Sequence, residues 1–307
     1  MLSLKGSPKV ATLPDGRTYR PSIEGEPPRS YRPTQTARVI AIAVAFLAVF
    51  YFLFPIYWLI IASTKNNSDL IGSFSLWFAD FNLGSNWGSL MSWTKDMFPR
   101  WVINSLLYST VAGAFGTLVS VMAGYALAKF EFPGKNVAMV VIMAGLLLPV
   151  ALLTIPLYLV FHGIGLTNTM WAIIIPSCVS PFGVFLGRVY AQSSVPSDLL
   201  EAARIDGASE IRIFFTIVLR LLAPAMVTIF LFIFVATWNN FLLPLMMVSS
   251  PEIKPVTLGL YGMMSYFAPD KGAVMLGALL GVIPLIILFL GLQRFWRAGL
   301  AAGAVKG

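Results

Sequence analysis

Apolar positions along the chain gather into long uncharged runs separated by short polar segments, and neither the twofold period of a half-buried strand nor a one-sided helical stripe dominates them. Val39 to Thr64 carries no charge, and neither does Trp101 to Ala128. Each is long enough to cross a hydrocarbon layer of about 30 Å as a helix of about 20 residues. Asn136 to Gly187 is also uncharged but too long for one crossing, and it divides at His162-Gly163-Ile164-Gly165-Leu166-Thr167-Asn168 into two spans. Leu221 to Pro251 and Gly272 to Gln293 supply the fifth and sixth. The pattern predicts an all-α integral membrane protein with six transmembrane helices in 39–295, a basic, largely disordered tail over 1–38 and a short tail over 296–307.

Within the spans, Gly113, Gly116 and Gly124 allow neighbouring helices to come close. Pro149, Pro156, Pro176 and Pro181 predict kinks, which membrane helices tolerate where neighbours or water satisfy the freed carbonyls. Lys129, Glu131 and Lys135 form a tight polar turn around Pro133-Gly134. Lys65 to Arg100 and Glu252 to Lys271 read as polar loops. Trp77, Trp87, Trp93 and Trp101 mark an interfacial belt, with a contact for a binding protein as the other reading.

One polar stretch, 192–220, differs from the rest. Pro196 and Ser197 open a helix, Asp198 and Glu201 put negative charge near its exposed amides, and Gly207 supplies the stop. Ser209 offers a second cap, after which Ile211, Phe214, Phe215, Val218 and Leu222 recur as one face of a continuing helix. The product is a helix–elbow–helix. Leu199, Ala202, Ala203 and Asp206 share a side of the first helix, a side suited to docking into a groove on a partner. A polar inter-span loop that merely happens to be helical is the other reading.

Composition agrees with the membrane reading. The chain has 307 residues, 58% hydrophobic and 11% charged, with a mean hydropathy of +0.81, against about a quarter charged in soluble domains. The net charge of +8 is not arranged as a basic stripe with interleaved aromatics, so nucleic acid is not an expected partner. The lysines and arginines of the tail, the Lys129 turn, the elbow and the C-terminus instead share one face and outnumber those of the opposite loops. The positive-inside rule then makes the elbow and both termini cytoplasmic. The tail could also touch anionic head groups. The first apolar run starts too late and runs too long for a signal-peptide core.

Cys178 has no intrachain partner, and His162 has no acidic or histidine neighbour at helical spacing, so no metal site is expected. Gly134-Lys135-Asn136 lacks the earlier glycine and the Ser or Thr of a phosphate loop. No hydrolase signature occurs, and the spans carry no ionisable pair to run a proton-driven cycle. These features point away from an enzyme and toward energy that enters from outside the membrane.

Glu201-Ala202-Ala203, three residues, Gly207, nine residues, Ile217, one residue and Leu219 resembles the "EAA loop" of permease subunits in bacterial binding-protein-dependent ABC importers. Ile155-Pro156-Leu157-Tyr158, Trp238-Asn239-Asn240-Phe241-Leu242 and the tail Gly299 to Gly307 resemble the carbohydrate, maltose-type branch, and the resemblance covers roughly Trp101 to Gly307. Two positions depart from it. Arg220 follows Leu219 where the family usually has proline, and Asn240 stands where an acidic residue is common.

The resemblance implies a permease in the inner membrane whose elbow, through Glu201, Ala202, Ala203, Asp206, Gly207 and Phe214, couples to a cytoplasmic ATPase dimer. It implies a second, non-identical permease subunit, an extracytoplasmic substrate-binding protein and a sugar-like solute, with Trp238, Asn239 and Asn240 near the pathway. No cofactor is expected on this chain, since ATP and magnesium would sit on the ATPase. A polyol or glycerol phosphate is the runner-up solute. An ion-coupled secondary transporter and a membrane scaffold are the readings from other classes.

Overall fold

The computed structural model describes residues 11–12, 18–19, 34–264 and 270–304, and its internal contacts divide the chain into two units, Met1–Tyr57 and Trp58–Gly307. In the first, β1 (Ala11–Thr12) pairs antiparallel with β2 (Thr18–Tyr19), with Ala11 opposite Tyr19 and Thr12 opposite Thr18. The tail expected to be disordered therefore holds a two-residue ladder; most of 1–33 lies outside the described residues. Helix α1 (Gln35–Ser63) begins earlier than the apolar run at Val39, because Thr34 Oγ1 accepts the Ala37 amide at 3.2 Å and caps it.

The second unit opens with the end of α1, then α2 (Asn67–Gly72) and α3 (Leu83–Thr94), which occupy the stretch expected to be a loop. Buried Lys65 directs Nζ to Ser73 Oγ (2.9 Å) and the Phe74 carbonyl (2.8 Å). Asn86 Nδ2 donates to the carbonyls of Ser63 (2.8 Å) and Lys65 (3.0 Å). The bond to Ser63 satisfies a carbonyl that the last turn of α1 leaves open.

Helix α4 (Phe98–Lys129) is central, with α5 (Lys135–Leu147), α6 (Val150–Gly163), α7 (Trp171–Ser177) and α8 (Pro181–Ser194) following. The approach of α4 to α8 depends on Gly124, where a Cβ would lie 2.5 Å from the Arg188 amide nitrogen and 2.6 Å from the Gly187 carbonyl carbon. Arg188, expected in the elbow loop, is thus inside α8, and its guanidinium meets Met139 Sδ at 3.8 Å. Cys178 is half-buried against two of the core clusters.

Among the described residues, four helical segments, α1, α4, Trp171–Ser194 and Lys271–Gln293, are long and apolar enough to cross a membrane, and two bent pairs raise the number to six if each counts as one span. Proline kinks were expected within these runs, and the bends are sharper than a kink. Between α5 and α6 the chain turns by 108°. Pro149 drives Leu148 into extended backbone (φ −77°, ψ 122°), which ends α5. His162 lies exposed in the last turn of α6, stacked on Tyr158 at 5.7 Å.

After the elbow, α12 (Ala223–Trp238) leaves the preceding helical segment, Glu210–Leu221, at 81°. Pro224 would crowd the Arg220 carbonyl in an unbroken helix, so the break falls at Leu222. The fifth run does not continue as one helix to Pro251: after α12 come α13 (Leu242–Met247), a 3₁₀ turn at Pro251–Ile253 and α14 (Val256–Tyr261). The second expected loop is thus partly helical, and its residues 265–269 lie outside the described residues. Helix α15 (Lys271–Ala304) closes the chain.

Trp101, expected in an interfacial belt, is buried instead and donates through Nε1 to the Pro251 carbonyl (2.8 Å). Asn104 Nδ2 holds the Glu252 and Lys254 carbonyls, and Tyr108 donates to Ile253. Trp77, Trp87 and Trp93 are exposed.

Candidate functional site

The elbow is built by α9 (Ser197–Ile205), α10 (Glu210–Ile213), a π-helical turn over Phe214–Val218 and α11 (Leu219–Leu221). Gly207 ends α9 with φ +79°. Its amide donates to the Arg204 carbonyl (3.0 Å), while the Ala208 amide donates to Ala203 (3.0 Å). This reciprocal pair is a Schellman closure, and it needs the left-handed backbone that glycine adopts without steric cost. Ala203 and Ala208 close the motif by packing on the same buried cluster.

Across the turn, Arg204 forks onto Glu210, Nε to Oε1 at 2.6 Å and a terminal nitrogen to Oε2 at 3.4 Å. The bond to Glu210 raises the Arg204 guanidinium above its ordinary value. Both groups are partly exposed, so the pair contributes up to about 1 kcal/mol and chiefly fixes the angle between α9 and α10. Ser209 Oγ accepts the Arg212 amide at 3.4 Å and caps α10.

Leu200, 2% exposed, anchors α9 in a cluster with Val121 and Tyr125 of α4 and Ala191 of α8. Phe214, 6% exposed, joins the same cluster with its ring 5.7 Å from that of Tyr125. Phe214, expected among the coupling residues, is not on the exposed surface of the elbow: it holds the elbow to the bundle from within. Ala203 also turns inward. The side of α9 that remains presented includes Leu199, Glu201, Ala202, Ile205 and Asp206, with Leu199 41% and Ile205 86% exposed. Among the described residues, the Glu201 carboxylate has no hydrogen bond or ion pair, since Arg204 is directed to Glu210.

The face predicted beyond Ser209 is also altered. Phe214, Val218 and Leu222 are buried, but Ile211 and Phe215 are 73% and 51% exposed. The π turn adds a residue to the helical repeat, so positions that an α-helix would align rotate apart.

The residues expected near the pathway do not share one exposed surface. Trp238, 2% exposed, stacks on Phe234 at 5.8 Å inside the core. Asn239 is exposed at the end of α12. Asn240 is half-buried; its Oδ1 accepts the Leu243 amide (3.4 Å) and its carbonyl accepts Thr257 Oγ1 (3.0 Å), which makes it a joint between α12 and α13. The sequence reading missed the anchors Leu200 and Tyr125, and the Glu210 end of the ion pair. The apolar spacing of Leu200 and Ala203 was the available signal for α9.

A helical membrane bundle that seats a capped, sharply turned elbow on its core, with a charged apolar-edged face turned outward, has the build of a membrane subunit of a transport system. Comparison with known proteins makes the class specific. Residues 116–300 match the family of binding-protein-dependent transport system inner membrane components. The arabinooligosaccharides transport system permease protein AraQ of Halalkalibacterium halodurans is 33% identical over 88% of this chain and 96% of its own. The lactose transport system permease protein LacG of Rhizobium radiobacter is 32% identical over 87% and 96%. A crystal structure of a bacterial ABC transporter involved in import of the acidic polysaccharide alginate superposes with a TM-score of 0.73 at 22% identity, covering 86% of this chain and 99% of that one; this likeness bears on the fold alone. The chain belongs to the binding-protein-dependent transport system inner membrane component family, and it is a permease subunit of an ABC importer.

Proposed function

We propose that this permease carries a sugar or oligosaccharide, forming half of the translocation pathway with a second, homologous permease subunit. Relatives named for arabinooligosaccharides and lactose support the solute class. An extracytoplasmic binding protein delivers the solute, and a cytoplasmic ATPase dimer binds ATP and magnesium and supplies the energy; this chain holds neither. Both termini and the elbow face the cytoplasm, a reading supported by the bias of lysine and arginine toward that side.

The observation that carries the coupling role is the seating of the elbow. Leu199, Glu201, Ala202, Ile205 and Asp206 form the outward face, Gly207 closes the turn, and Leu200 with Phe214 ties the same short segment into the core beside α4. A push on α9 is thereby transmitted to the spans through packed side chains. Glu201 is the carboxylate free to pair with a basic group on the ATPase. Asn239, exposed at the end of α12, and Asn240 beside it are the amides available to sugar hydroxyls; Trp238 supports them from the core.

The test is gentle purification from the native host, mass spectrometry of what accompanies the chain, and an ATPase assay with a panel of sugars, polyols and glycerol phosphate presented with the binding protein. A second permease and an ATPase should co-purify, and a saccharide should raise ATP turnover. Stimulation by a non-saccharide alone would overturn the solute class, and a chain lacking an ATPase partner would overturn the coupling role.

A further inference from the structure

We infer that Arg212 and Arg220 form a contact for anionic lipid head groups at the membrane surface beside the elbow. This rests on the reading that the elbow faces the cytoplasm. Helix Glu210–Leu221 meets α12 at 81°. Since α12 is apolar from end to end, a segment leaving it near a right angle runs along the bilayer surface rather than away from it. Arg220 stands two positions before the bend at Leu222, at the depth where the span ends. Thr216 Oγ1 donates to the Arg212 carbonyl at 2.6 Å within the π turn, and both arginines lie on the one helical segment between Ser209 and the bend.

Both arginines are exposed. Among the described residues neither guanidinium has a hydrogen bond or ion pair, and the adjacent acid, Glu210, is held by Arg204. Exposed Ile211 and Phe215 flank them. Unpaired guanidinium groups beside an exposed aromatic, on a helix lying along the surface, are the chemistry of a head-group layer: phosphate accepts the fork while the apolar side chains enter the acyl boundary. An acidic protein surface is the competing occupant. Arg220 lies about 20 Å along the chain's helical path from the Gly207 tip, next to the start of the span.

The test uses the complete importer as purified, in nanodiscs of phosphatidylcholine with increasing phosphatidylglycerol, for the native protein, Arg212→Gln, Arg220→Gln, the double Gln variant and the double Lys variant. Native mass spectrometry reads the lipids retained, and ATP turnover is followed in parallel. Each Gln should reduce phosphatidylglycerol enrichment about fivefold, and the pair about 25-fold. The Lys variant should keep most of it, and turnover in pure phosphatidylcholine should equal the native value. Undiminished enrichment in the double Gln variant overturns the proposal. So does a loss of turnover or of the ATPase in pure phosphatidylcholine, which would assign the arginines to a protein partner. If no ATPase accompanies the native chain, the coupling role fails instead, and lipid enrichment still reads the arginines directly.

Discussion

Replacing Gly207 separates backbone geometry from surface shape at the elbow. Its φ of +79° lies in the left-handed region, and a Cβ added there would meet nothing within 4 Å. The cost of a side chain is therefore conformational alone. For alanine it is about 1 kcal/mol, equivalent to about a fivefold shift away from the closed turn. Asparagine tolerates this region better, and a β-branched residue is disfavoured more. Gly207→Asn, Gly207→Ala and Gly207→Val should thus fall in that order when solute uptake per ATP hydrolysed is measured in proteoliposomes of the assembled importer, with membrane insertion unchanged. Equal loss in all three would show that a bare surface, rather than a left-handed turn, is required, because the steric series would then have no grip. Native coupling in the valine variant would remove the elbow from energy transfer altogether.

Other positions read different parts of the same arrangement. Phe214→Ala should destabilise the detergent-solubilised protein by about 3–5 kcal/mol through the cavity left beside Tyr125, seen as a lower midpoint of thermal unfolding; an unchanged midpoint with lost coupling would give Phe214 a direct part in the ATPase contact. Glu201→Lys should leave folding intact, since the native side chain is exposed, but reverse the charge offered to the ATPase, so that ATP turnover no longer responds to solute. Asn239→Leu should change the KM for solute uptake, whereas Asn240→Leu should chiefly lower stability by about 1 kcal/mol through loss of the bond to Leu243; the same KM change in both would make them a joint binding pair.

The spans were readable because uncharged runs of that length have few other fates, and the ends of α9 were readable because Pro196, Ser197, Gly207 and Ser209 each impose a local geometry. What escaped were features that depend on tertiary partners or on a broken period. An apolar run looks the same whether straight or bent by 108°, and the proline in it did not disclose how far the chain would turn. The single-face reading of Ile211 to Leu222 assumed 3.6 residues per turn, which the π turn at Phe214–Val218 violates. Trp101 and Trp238 looked like interfacial or pathway aromatics because composition cannot tell an indole at the bilayer edge from one buried on a backbone carbonyl or another ring. Arg188 looked like a loop residue because charge was equated with the end of a span, while its helix continues to Ser194.

The π turn also bears on how the elbow tolerates changes of length. A five-residue turn inside a helix is equivalent to an α-helix with one residue inserted, so the segment between Ile213 and Leu219 carries slack found nowhere else in the elbow. Removing one exposed residue there, such as Thr216, would let the turn relax to α geometry while Ile213 and Leu222 keep their seats in the core. Elsewhere in the elbow, adding or removing a residue would swing the α9 face through about 100°. The register of the docking face against the spans is thus protected by an expansion joint on the side of the elbow nearer the membrane.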